Sequence, residues 1–281
     1  MNNSLFAVSA TKNVHFTPGN LQWINTDARH ADVGYWRIAE SQYSYLGKYN
    51  AITNSPRKGG VLKAGPVDLF GWGQVTPGSM YGSTNYTDYV SSITDNQQLP
   101  NDNNWATKFN NGTTLYAAAD QPYQKPVGDG NYCVLTKDEW QYLFANQYWG
   151  YATVSLTPSG TVNGIVVCPN SVDESTAKSY LTGHIQKSSS YTGSSSSRSR
   201  YEDNRISQET IDNNGLLFLP AAGRRFGTSV KYFGTDGGYW SSTSSSVKNA
   251  YYLSFNASLF GSDNADFRCY GFSVRLASVA Q

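Results

Sequence analysis

The segment "GYWSSTSSSVKNAYYLSFNASLFGSDNADFRCYGFSVRL", Gly238–Leu276, begins and ends on firm landmarks and carries no steady period between them. Trp240, Ser241, Ser242 and Thr243 open it, and Gly271, Val274, Arg275 and Leu276 close it. Inside it, Ala250, Leu253, Phe255 and Arg268 read as further scaffold. "AYYLSF" alternates like a strand, so Ala250, Tyr252 and Ser254 share one face and Tyr251, Leu253 and Phe255 the other. The apolar second face is expected to be buried, with Val274 and Leu276 joining the same core. The remaining positions are expected to meet solvent from loops and from one strand face. They are Ser245, Ser246, Val247, Asn249, Tyr252, Ser254, Asn256, Ser258, Phe260, Asp263, Ala265, Asp266, Phe267, Cys269 and Phe272. Exposed Phe260, Phe267 and Phe272 supply rigid apolar contact area in this reading, and the Ser, Asn and Asp side chains adaptable hydrogen bonds.

Working outward, a chain of 281 residues can bury one large core or two modest ones. Its 39% hydrophobic and 14% aromatic content is globular and excludes a disordered chain. The 21 basic and 20 acidic residues nearly cancel, so no charge field directs the chain to nucleic acid or anionic lipid. Tyr in excess, with Ser, Gly and Asn, fits both a binding surface and Tyr-rich β-structure. Three cysteines at irregular spacing, Cys133, Cys168 and Cys269, argue against a disulfide framework, although one bridge stays open. His15, His30 and His184 have no zinc spacing. No run reaches the apolar length of a membrane helix, and "MNNSLFAVSA" lacks the basic start and apolar core of an export signal.

Helical periodicity is sparse. "LTKDEWQYLFANQ" is the best helix, with Thr136 as its cap, Glu139 completing a capping box, and Trp140, Leu143 and Phe144 on one face. "SQET" from Ser207 reads as a second capping box, on a helix through Ile211 that stops near Asn213–Gly215. Strand-like runs are "NVHFTPGNLQW", "NGIVVCP", "GLLFLP", "AYYLSF" and "FSVRLA", each bounded by Gly, Pro, Asn or Ser. Long irregular stretches span Tyr49–Gly65, Thr76–Asn104 and Ser188–Arg205. The pattern is α+β: few helices, short twisted antiparallel strands and long irregular loops, in one domain over residues 1–281 with an N-terminal elaboration (1–130).

Catalytic signatures are absent: no G-x-S-x-G, H-E-x-x-H, P-loop or dinucleotide fingerprint occurs. "VDES" (Val172–Ser175) and "YEDN" (Tyr201–Asn204) pair acidic residues in polar surroundings, where solvated carboxylates are the default. "TDNQQLPNDNN" is oxygen-rich around Asp95, Asn101 and Asp102, a candidate calcium loop without the regular calcium-loop spacing. No metal or cofactor is assigned.

Four motifs occur in order: "VLTKDEWQYLF" (Val134–Phe144), "LFLPAAGRR" (Leu217–Arg225), "GGYWSST" (Gly237–Thr243) and "GFSVRL" (Gly271–Leu276). Together with "KNVHFTPGNLQW", "WRIAE" and "DLFGWG" they resemble the C-type lectin fold of the formylglycine-generating-enzyme type, over most of the chain. They look most like the lectin-like domains abundant in Bacteroidetes and their phages. A subset of that group are variable proteins of diversity-generating retroelements, in which an error-prone reverse transcriptase rewrites adenines near the 3′ end of the gene. AAY codons there become NNY, which cannot encode Trp, Met, Gln, Glu or Lys. Those five types occur 34 times from Met1 to Tyr239 and once, as Lys248, from Ser244 to Phe272. At the earlier density roughly four are expected in the later window.

The resemblance implies a diversified region over residues 240–276, displayed on a scaffold of Trp240, Leu253, Phe255, Arg268, Gly271 and Arg275. It implies non-covalent binding without turnover, to a cell-surface protein or glycan, with no nucleic-acid partner and no membrane insertion. Modest single-site affinity favours a homo-oligomer through avidity. The expected location is a virion, as a phage tail-tip receptor binder, or a bacterial cell surface in adhesion. Two alternatives stand beside it. One is a structural fimbrial or surface-layer subunit. The other is an oxidase of the formylglycine-generating type, whose copper-holding cysteine pair finds only Cys269 near the C-terminus.

Overall fold

Thr136 and Glu139 close their capping box around α1 (Lys137–Asn146). Glu139 N–H donates to Thr136 Oγ1 at 3.2 Å, and Thr136 N–H to Glu139 Oε2 at 2.8 Å. Trp140, Leu143 and Phe144 are buried, as their spacing predicts. Asp173, read from sequence as a solvated loop carboxylate, instead caps α2 (Glu174–Tyr180) by accepting the Thr176 N–H at 2.8 Å. The bonds it accepts hold its carboxyl below the usual range. Ser207 caps α3 (Gln208–Asn213), but Thr210 stands where a capping box needs a carboxylate. The reciprocal bond is therefore replaced by a 2.8 Å hydroxyl pair.

The computed structural model describes residues 4–27, 34–50, 65–72, 116–117, 132–192, 200–226, 229–246, 249–268 and 270–280. Strand accounts for 46% and three helices are present, with no closed barrel among the described residues: the fold is α+β. One sheet has the order β1 (Phe6–Ala7), β2 (Asn13–Phe16), β18 (Leu276–Val279), β7 (Tyr132–Val134), so the last strand inserts between early ones. A second runs β5 (Gly65–Val67), β3 (Leu21–Asn25), β4 (Gly34–Ile38), β6 (Tyr116–Ala117). A third runs β11 (Arg205–Ser207), β8 (Trp149–Ser155), β9 (Thr161–Val167), β12 (Leu217–Pro220). The fourth contains the segment quoted above, in the order β10 (Ser190–Thr192), β17 (Leu259–Phe267), β16 (Asn249–Phe255), β15 (Gly237–Ser244). A separate hairpin joins β13 (Arg224–Phe226) to β14 (Ser229–Lys231). Pairing is antiparallel except β4 with β6 and β8 with β11.

Two expected strands differ in outline. "NVHFTPGNLQW" divides into β2 and β3, because Pro18 lacks an N–H for the ladder. "FSVRLA" becomes a strand only at Leu276, its earlier residues making single bridges, Phe272 to Phe70 and Ser273 to Tyr239.

β16 lies between two apolar clusters. Ala250 packs with Trp23, Trp36, Phe70, Trp72, Trp240 and Phe272, while Leu253 and Phe255 pack with Phe6, Phe16, Trp140, Phe144 and Trp149. Its two faces are therefore both partly covered, which corrects the expectation of one dry and one wet face. Ladder irregularities fall between Trp240 and Ser244 and between Tyr252 and Ser254, around buried Ser241, Ser242 and Leu253.

Candidate ligand-binding surface

The frame grips the segment mostly by its main chain. Trp72 Nε1 donates to Ser241 O at 2.7 Å and Ser241 Oγ to Tyr251 O at 2.8 Å. Tyr151 Oη donates to Leu259 O at 2.7 Å. Arg268 is buried, its guanidinium 4.3 Å from the Trp72 ring, and it donates to Ser246 O at 2.5 Å and Asn249 O at 3.2 Å. The turn before β16 is thus held by two carbonyls and one stacked cation. Trp240 Nε1 in turn donates to Phe70 O at 2.6 Å.

The six scaffold residues, Trp240, Leu253, Phe255, Arg268, Gly271 and Arg275, are all buried. At Gly271 a Cβ would stand 2.7 Å from Arg225 Cβ and 3.0 Å from Leu69 O, so backbone and side chain close on it from two sides. Arg275 donates to Asn20 Oδ1 at 3.0 Å and Phe218 O at 3.2 Å, and burial pulls it down to about 10, still charged at neutral pH.

Two expected contact residues are core. Phe260 lies 4.6 Å from Phe144 and 4.2 Å from Trp149, ring centre to centre, because it starts β17 directly beneath α1. Phe272 stacks on Tyr252 at 4.4 Å and meets Trp240 edge-on at 4.6 Å, while its backbone exchanges bonds with Phe70. Neither can offer contact area. Val247 and Cys269 lie outside the described residues, as do His30 and the oxygen-rich Asp95, Asn101 and Asp102.

The other positions fall into four places. Asn256 and Ser258 form the turn between β16 and β17: Asn256 Oδ1 accepts the N–H groups of Ser258 and Leu259 at 2.9 and 3.0 Å. That turn is roughly 20 Å along the strand from Asn249, so these two stand apart from the rest. At the opposite end, register pairs Asn249 with Phe267, Ala250 with Asp266, Tyr251 with Ala265 and Tyr252 with Asn264. On the side facing α1, exposed Asp263 and Ala265 flank Tyr251. Gln141 donates to Asp263 at 3.2 Å, and the Lys137 ammonium lies 5.0 Å from the Tyr251 ring. On the other side are half-buried Tyr252, Ser254 and Asp266 with exposed Asn264, which donates to Ser254 Oγ at 3.0 Å. Exposed Ser245 and Ser246 and half-buried Phe267 close the end of the sheet.

Sequence reading missed Arg224, Phe226 and Tyr270 beside this end. Arg224 of β13 stands 3.9 Å from Asp266, with its guanidinium 4.8 Å from the Phe226 ring and 4.9 Å from Tyr232. Tyr270 packs edge-on against Phe226 at 4.6 Å and Phe267 at 5.5 Å. The signal was present in "GRRFG": alternation sends Arg225 inward, fully buried, and leaves Arg224 and Phe226 on the outer side. Burial raises Tyr252 to about 12, with Asp266 adding to the shift, and burial raises Asp266 against the pull of its bond to the Phe267 N–H and of Arg224.

No family model, curated protein or solved structure matches the chain. Chemistry of the other candidates is quiet. Burial raises the Cys133 thiol and lifts Cys168 to about 12, so both stay protonated at neutral pH. Among the described residues, no cluster of three His, Cys, Asp or Glu side chains is placed to hold a metal ion. His15 Nδ1 meets Ser4 O at 3.0 Å, and Asp203 lies 3.4 Å from Arg200.

Proposed function

We propose that this chain is a ligand-binding protein of C-type lectin fold, and that the end of its β15–β17 sheet is the variable contact surface of a diversity-generating retroelement. Binding is non-covalent, to a cell-surface partner, either from a phage tail or from a bacterial surface. One observation carries the reading: the frame holds the segment through the carbonyls of Ser241, Ser246, Asn249, Tyr251 and Leu259. A carbonyl is the same whichever side chain its residue bears. Side chains at Ser245, Asn249, Asp263, Ala265 and Asp266 are then free to change with little effect on folding, whereas Ser246 Oγ accepts the Asn249 N–H at 3.0 Å.

The DNA beside the gene tests this. An adenine-rich near-copy of the stretch encoding residues 240–276, next to a reverse-transcriptase gene, is expected. A locus with neither removes the retroelement reading.

A further inference from the structure

Arg224 has an unusual setting for a surface cation. The Phe226 and Tyr232 rings hold its guanidinium at 4.8 and 4.9 Å, and its side chain is only 29% exposed. Nε is buried and meets no acceptor among the described residues. Nη1 stands 3.9 Å from Asp266 Oδ2, beyond hydrogen-bond range, so the acid neutralises the cation without occupying its donors. One clamping ring is itself held under strain. Tyr232 has φ +60 and is 48% exposed, in the left-handed region that a residue with a Cβ adopts only at a cost. Its carbonyl is fixed there by the N–H groups of Thr235 and Asp236 at 3.1 and 2.8 Å.

The charged groups near Arg224 are Asp266 on β17 and Asp236 after β14, with the Lys231 ammonium 5.9 Å from the Phe226 ring centre. Of the two acids, Asp266 lies in the variable segment, whereas Arg224, Asp236 and both rings lie outside it. From this arrangement we infer that Arg224 is a constant anion-recognition residue for a carboxylate on an acidic polypeptide, and that residue 266 sets whether it is open. A planar fork held between two rings is pre-organised for a bidentate carboxylate. The neighbouring face presents Tyr252, Ser254 and Asn264 along a sheet, the residue types of protein-recognising surfaces, which favours a polypeptide over a sugar. With Asp at 266 the site is neutralised. Uncharged residues that NNY can place there, such as Asn, Ser or Ala, open it.

This inference rests on the binding role proposed above, and its test can fail separately. Fluorescein-labelled poly-L-glutamate and polygalacturonate are titrated by anisotropy against wild type, Asp266→Asn, Arg224→Gln and the double variant at low salt. Asp266→Asn is expected to bind poly-L-glutamate about tenfold more tightly than wild type. The gain disappears in the double variant and on adding salt. If Arg224→Gln fails to fold, Arg224→Lys in the Asp266→Asn background replaces it. Lys keeps the charge but not the fork, and is expected to lose most of the gain. Equal binding by wild type and Asp266→Asn, or a gain that survives the loss of Arg224, overturns the inference. Tighter binding of polygalacturonate than of poly-L-glutamate overturns the polypeptide assignment. Arg224-dependent binding from a locus without the adenine-rich copy would sink the retroelement reading and leave the anion site standing.

Discussion

Phe260→Ala separates frame from display within a segment that sequence composition treats as uniform. Phe260 is 4% exposed, its ring wedged between Phe144 and Trp149. Truncating a buried phenylalanine to alanine costs about 3–5 kcal/mol, part from lost transfer and part from the cavity left behind. At about 2–4 °C per kcal/mol for a domain of this size, the melting temperature should fall by roughly 6–20 °C. Five residues on, Ala265→Tyr places a large ring on an exposed position and should stay within about 0.5 kcal/mol of wild type. Near-UV circular dichroism melts of the three proteins give the comparison, with Trp149 emission reporting the cavity locally. Phe260→Ala melting within about 2 °C of wild type would show that this ring is not core, and the division of the segment would fail with it.

Three further outcomes follow from buried groups. Burial raises Asp68 from 3.8 to about 6, so the folded state holds its proton more tightly than the unfolded one. Its stabilisation is complete below about pH 4 and is lost as pH rises through 6, which makes wild type roughly 1 kcal/mol less stable at pH 7 than at pH 5 from this group. Asp68→Asn should remove that difference in urea titrations at the two pH values. Gly271→Ala should lower stability by about 1–3 kcal/mol, because Arg225 and Leu69 leave no space for a methyl, and a thermal melt checks it. Arg268→Met should sharpen the contrast with Ser245→Tyr. The first releases the carbonyls of Ser246 and Asn249 and should raise amide exchange at Ser245, Ser246 and Asn249, while the second should leave it unchanged.

Local signals told most where the local term dominates. Thr136 and Glu139 are three residues apart, so one capping box placed α1 to the residue, and the periodicity of Trp140, Leu143 and Phe144 fixed its buried face. The alternation of "AYYLSF" located β16 but misjudged its surroundings. Leu253 and Phe255 are buried as expected, yet Ala250 is buried too, because a second cluster built from Trp23, Trp36 and Phe70 covers that face. No pattern within six residues reports what a segment two hundred residues earlier supplies. Phe260 and Phe272 illustrate the same limit, since an aromatic residue among Ser, Asn and Asp looks like display until its partners are known. Arg224 was missed for the opposite reason: its hairpin lies outside Gly238–Leu276, and only the tertiary fold brings it to Asp266.

The arrangement would let rigid and changeable residues share one short stretch. A buried side chain is tied to its identity by volume, and a side-chain hydrogen bond is tied to its functional group, so either would forbid free substitution. Main-chain carbonyls carry neither restriction. Trp72, Tyr151, Ser241 and Arg268 all donate to carbonyls of Gly238–Leu276, and the first three of these donors lie outside its Ser244–Phe272 stretch. The fourth, Arg268, is inside it, and its stacking on Trp72 makes it the position there whose replacement should be felt most widely. A diversification process that left the codon of Arg268 untouched while rewriting Asp266 and Phe267 beside it would be following the division between backbone grip and outward side chain that the hydrogen bonds draw.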